Sequence, residues 1–103
     1  MYYEAHITID PVLVGDRLDL VKSIGGEYDF KVAELWMYKR EESTLERSSY
    51  DTFLTGHAKD TQEGRCAIYD RMVTCVTRLE ENGFKVFRAK IEHVIFDTKA
   101  RND

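Results

Sequence analysis

The sequence predicts an α+β domain: a four-stranded antiparallel sheet, in the order 4-1-3-2, with two helices on one face. Three observations carry that reading. Residues 2–10, YYEAHITID, alternate between apolar and polar, the period of a half-buried strand. Residues 60–82 carry an apolar stripe at helical spacing, behind a capping signal and before a stop signal. Strand and helix signals follow one another as β-α-β-β-α-β.

In the first strand, Tyr3, Ala5, Ile7 and Ile9 form the core side. Tyr2, Glu4, His6 and Thr8 form the other. Pro11, which cannot donate to a ladder, closes the strand. Asp16 is the expected N-cap of a short helix over residues 16–24, with Asp19 adding first-turn negative charge. Leu18, Leu20, Val21 and Ile24 supply its apolar side, and Gly25-Gly26 is the expected stop.

Residues 30–40 alternate again, with Ala33, Leu35 and Met37 on one face and Glu34, Trp36 and Tyr38 on the other. The charged, aperiodic residues 40–49 read as a loop joining two strands. Residues 50–57 form the third strand, with Leu54 and Gly56 on one side and Phe53, Thr55 and His57 on the other. A glycine inside a strand marks a bulge or a close backbone approach.

Asp60-Thr61-Gln62-Glu63 has the layout of a capping box led by Asp60. Gly64, Ile68, Met72, Cys75, Val76 and Leu79 follow as one stripe, and Asn82-Gly83 is the stop. Residues 84–96 form the last strand, with Phe87, Ala89 and Ile91 inward and Arg88, Lys90 and Glu92 outward.

Phe30-Lys31-Val32 and Phe84-Lys85-Val86 each follow a helix and a glycine turn, an internal echo of two split βαβ units. The whole is the ferredoxin-like pattern, one domain over residues 1–97 with a polar tail at 98–103.

With 103 residues, the chain fits one core. A net charge of −4 argues against a general nucleic-acid binder, whose affinity comes from basic phosphate contacts. The third strand also lacks the Gly-aromatic run of an RNA-recognition module. No apolar run approaches the roughly 20 residues that span a bilayer, so no membrane association is expected. No basic-then-apolar leader opens the chain, and a cytoplasmic location is expected. Cys66 and Cys75, on one helix, would lie on opposite faces and form neither a disulfide nor a shared metal site. They read as small apolar filler in a reducing compartment.

Both helices on one face leave the other uncovered. By parity that face carries Tyr2, Glu4, His6, Thr8, Glu34, Trp36, Tyr38, Phe53, Thr55, His57, Arg88, Lys90 and Glu92. Exposed aromatic residues there suggest a contact site. The binding candidates are Trp36, Tyr38, Phe53, Thr55, Arg88 and Lys90. Three readings stay open: a solvated face with scattered aromatics, an interface with a protein partner or a second copy, and a small-ligand surface.

The catalytic candidates are His6, Thr8 and His57. Central strands one and three run antiparallel as neighbours, which brings the two histidines near each other. One imidazole would act as general base and the other as general acid on a phosphate-bearing ligand. A metal would need Glu4 or Glu92 besides the histidines, since zinc generally takes three protein ligands. No metal site and no cofactor is expected from motif spacing: the chain has no Gly-x-Gly-x-x-Gly, no Walker loop and no Cys-x-x-Cys.

His6-Ile7-Thr8-Ile9 resembles one His-h-Thr-h motif of the two-histidine phosphoesterases, where h is apolar. Those enzymes use two such motifs to cleave phosphodiester or cyclic phosphate bonds; Thr55-Gly56-His57 has the reverse order. The opening residues 3–9, Lys39-Arg40 and residues 52–60 resemble a group of small uncharacterised proteins of tailed phages. That likeness implies an accessory or anti-defence role. The leading expectation is a small binding protein acting through its open sheet face, and the alternative is a nucleotide- or phosphate-binding or phosphoesterase-like protein.

Overall fold

The computed structural model describes residues 1–12, 15–33 and 51–95. The elements are β1 (Tyr2–Ile9), α1 (Asp16–Glu27), β2 (Lys31–Ala33), β3 (Thr52–Lys59), α2 (Gln62–Glu81) and β4 (Val86–Val94). The sheet order is β2-β3-β1-β4 with antiparallel neighbours, the ferredoxin-like arrangement. No helix among the described residues is long and apolar enough to cross a membrane.

β1 is hydrogen-bonded on both sides. Its odd residues Ala5, Ile7 and Ile9 are buried in one core with Val21 and Ile24 of α1 and Ile68, Met72, Cys75 and Leu79 of α2. Both amphipathic helices therefore share one sheet face, and the even residues of β1 stand on the other. The echoed tripeptides play one role at two places. Phe30 and Phe84 are buried, and Val32 and Val86 pack against the same core.

Four local expectations change. The N-cap of α1 is Gly15, not Asp16; its φ of 138° suits a residue without Cβ. Gly25-Gly26 does not stop the helix. Gly25 is buried inside it, and a Cβ there would meet the Phe30 carbonyl oxygen at 3.0 Å and Leu54 Cδ2 at 3.1 Å. The glycine thus serves close helix–sheet packing; the helix runs on to Glu27, and the chain turns at Asp29, with a φ of 62°. Thr61, not Asp60, caps α2: its Oγ1 accepts from Gly64 N at 2.9 Å. Asp60 instead faces His93 Nε2 at 2.9 Å, while the His93 ring stacks on Tyr3. Asn82 and Gly83 end α2 as expected, Gly83 at a φ of 85°.

The fourth change is parity at two strand ends. Val32 lies opposite Leu54 and joins the core, while Ala33 lies opposite Phe53 on the uncovered side. Burying Phe30 and Val32 removes more apolar area from water than burying Ala33. In β4, Arg88 pairs with Thr8 and Val86 with Ile9, so Phe87 is an extra residue at a bulge. Val86 takes the inward place expected of Phe87. Glu34, Trp36, Tyr38, Leu35 and Met37, the loop over residues 40–49 and the tail at 98–103 lie outside the described residues.

Arg71 on α2 fastens these parts together. Its Nε donates to Tyr28 O, Nη1 to His57 O and Nη2 to Asp29 O, each at 2.9 Å. Its guanidinium also lies 5.4 Å from the Phe30 ring centroid. One side chain thus ties the turn after α1 to β3.

Candidate functional site

The even residues of β1 place Glu4, His6 and Thr8 in a row at the centre of the sheet face that no described helix covers, the uncovered face. The register then sets their neighbours. Glu4 faces His57 on β3 and Glu92 on β4; His6 faces Thr55 and Lys90; Thr8 faces Phe53 and Arg88. Every sequence candidate from these three strands is on this face.

His6 and His57 are not a cross-strand pair. They sit diagonally, with the Glu4 carboxylate between them. Glu4 Oε1 is 2.9 Å from His6 Nε2, and Oε2 is 2.8 Å from His57 Nε2. His6 Nε2 also lies 3.3 Å from Glu92 Oε1. On its other side, His6 Nδ1 is 3.4 Å from Thr55 Oγ1. Lys90 Nζ is 3.7 Å from the same Glu92 oxygen. The Tyr2 ring meets the His57 ring edge-on at 5.3 Å between centroids.

Burial grades across the cluster. The side chains of Glu4 and His6 are 22% and 26% exposed, while Glu92 and His57 are 50% and 55% exposed. Glu4 and His6 are therefore held by neighbours, and interactions at them are less screened by water than at the outer pair.

Beside the cluster is a cleft of about 480 Å³, walled by His6, Thr8, Asp51, Phe53, Phe87, Arg88 and Lys90. The bulge makes it. Phe87 and Arg88 are adjacent in sequence, yet both line the same cleft, which strict alternation would forbid. The cleft therefore combines two aromatic rings, two cations, an imidazole, a hydroxyl and the carboxylate of the buried Asp51. Phe87 and Asp51 are the lining residues that sequence reasoning missed, and no sequence signal marks the bulge. Thr55 and His57 line a separate hollow with Phe30, Lys31, Val32 and Ala33. Of the binding candidates, Phe53, Arg88 and Lys90 share the cleft and Thr55 stands behind His6.

Three ligand atoms, one each from Glu4, His6 and Glu92, lie within 4.8 Å of one another, which makes them a candidate cation-binding group. Comparison with protein-family models, curated proteins and solved structures finds no match to this chain.

Proposed function

We propose that this chain binds a small phosphate-bearing ligand, of nucleotide type, in the cleft of the uncovered sheet face. The carrying observation is the lining itself. Arg88 and Lys90 supply cationic donors beside His6 and Thr8, and Phe53 and Phe87 supply rings for an aromatic base. Pockets with a mainly apolar wall and a few convergent polar groups are where small ligands bind. His57 lies outside this cleft, so the lining supports binding and assigns no acid–base pair.

The test is an NMR titration of the full chain with ADP-ribose, a cyclic dinucleotide and inorganic phosphate. Shifts should appear at the backbone amides of Thr8, Phe53, Phe87 and Arg88. Arg88→Ala should weaken binding about tenfold or more, as expected for a charge-assisted contact of about 1.5–3 kcal/mol. Absence of shifts at millimolar ligand would overturn the reading.

A second reading is a protein contact, with a partner or a second copy, in the setting of a phage accessory or anti-defence protein. The half-buried Phe53 and Phe87 on an uncovered face favour it. Sedimentation of the full chain, with and without Trp36→Ala and Phe53→Ala, tests it. Aromatic anchors near an interface centre contribute about 2 kcal/mol or more. A monomer at high concentration excludes self-association.

A further inference from the structure

We propose that Glu4, His6 and Glu92 form a binding site for a first-row divalent transition metal ion, with His57 and Thr55 as its supporting shell. The argument begins with one nitrogen. His6 Nε2 faces two carboxylate oxygens, Glu4 Oε1 at 2.9 Å and Glu92 Oε1 at 3.3 Å. An imidazole N–H points along one direction and serves two oxygens poorly. A cation among the three atoms serves all of them. Bonds of about 2.0–2.1 Å give ligand–ligand edges of about 3.3–3.4 Å in a tetrahedral site and about 3.0 Å in an octahedral one. The two observed edges lie close to that range, and the third atom pair is within 4.8 Å.

The surroundings fit the ligands' needs. Metal-bound histidine presents a bare nitrogen to the ion and donates its other N–H elsewhere. Here Thr55 Oγ1 stands 3.4 Å from Nδ1, placed to accept that hydrogen in the metal-bound tautomer. A ligating carboxylate is held by a hydrogen bond to its second oxygen. His57 Nε2 does this for Glu4 Oε2 at 2.8 Å. The three ligands come from hydrogen-bonded neighbours: Glu4 and His6 from β1, and Glu92 directly opposite Glu4 on β4.

One nitrogen and two carboxylate oxygens select zinc, cobalt, nickel or manganese over calcium and magnesium, which favour all-oxygen shells. Three protein ligands leave at least one coordination position for an outside oxygen. His6 is shared with the cleft, so that position borders the proposed phosphate site without depending on it.

Lys90 supplies the decisive test. Its ammonium lies 3.7 Å from the Glu92 oxygen that would bind the ion. It therefore competes with a metal, whereas in the cleft it attracts phosphate. Lys90→Met should tighten metal binding and weaken phosphate-ligand binding. The opposite signs separate the two proposals.

The experiment titrates untagged full-length protein with Co²⁺, read by visible absorption, and with Zn²⁺, read by calorimetry. Folding of each variant is checked by circular dichroism. One-to-one saturable binding is expected for the unmodified chain. His57→Ala should weaken it about 10–100-fold, the usual outer-shell effect. His6→Ala and Glu92→Gln should weaken it further still. Glu92 is half exposed on an outer strand, so Glu92→Gln leaves the core untouched. The site is rejected if the unmodified chain shows no saturable binding, if Glu92→Gln binds as the parent does, or if Lys90→Met weakens rather than tightens the metal.

Discussion

A Cβ on Gly64 would collide with the carbonyl oxygen of Lys59. The first turn of α2 closes that tightly onto the end of β3, with Thr61 Oγ1 capping Gly64 N on the same side. The neighbour is backbone, which cannot swing away.

Gly64→Ala should therefore destabilise the protein, despite the better helix propensity of alanine. The propensity gain is about 1 kcal/mol, and displacing backbone in a packed turn costs more. A net loss of about 1–3 kcal/mol is expected in a urea melt. A neutral or stabilised variant would show that the strand–helix junction yields.

The core stripe of α2 makes a second prediction. Leu79 is fully buried and Met72 nearly so. Leu79→Ala and Met72→Ala should each cost about 2–5 kcal/mol, because a cavity adds to the lost transfer energy. Losses below about 0.5 kcal/mol would place these side chains in solvent.

Arg71 makes a third. It donates to three carbonyls from two separate chain segments. Arg71→Met keeps most of the alkyl packing and removes all three donors. A loss of about 2–4 kcal/mol is expected, since hydrogen bonds to a charged group contribute about 1.5–3 kcal/mol each and are not additive. Arg71→Lys should recover only part of it, because an ammonium cannot reproduce the planar fork.

The cysteines give a fourth. Cys66 is exposed and Cys75 is fully buried. Burial pushes the Cys75 thiol from 9.0 up to about 11, against the lowering pull of Arg71 and with a small push from Glu27. The folded state thus keeps a proton that the unfolded chain releases earlier. Stability from this group is complete below about pH 9 and falls as pH rises towards 11. Other groups titrate there too, so the difference between the parent and Cys75→Val isolates it. Urea melts at about pH 8 and about pH 10.5 should show a smaller loss in the variant. A thiol reagent at neutral pH should modify one cysteine per folded chain and two after unfolding.

The fold was legible because period and punctuation agreed along most of the chain. Ile7 and Ile9 in the first strand, and the stripe through Leu79, bury as their spacing implies. What was hidden involves choices that spacing does not encode. Asp60 and Thr61 are both good caps, and spacing does not say that Asp60 faces His93 while Thr61 takes the cap. Gly25 reads as a stop until a sheet lies against it. Phe87 has inward parity until the bulge turns it over. In the candidate site, alternation named Glu4, His6, Thr8, Thr55 and His57. It could not name the Glu4 bridge, because that depends on cross-strand register.

The lattice of hydrogen bonds on both flanks of β1 has a kinetic consequence. Glu4 and His6 hang from a backbone that has no freedom to open without unpairing the sheet. Among the described residues, what a ligand arriving at them waits for is side-chain rotamers, which exchange in picoseconds to nanoseconds. Association at this face should then run at encounter-limited speed, its rate governed by the local field rather than by shape change.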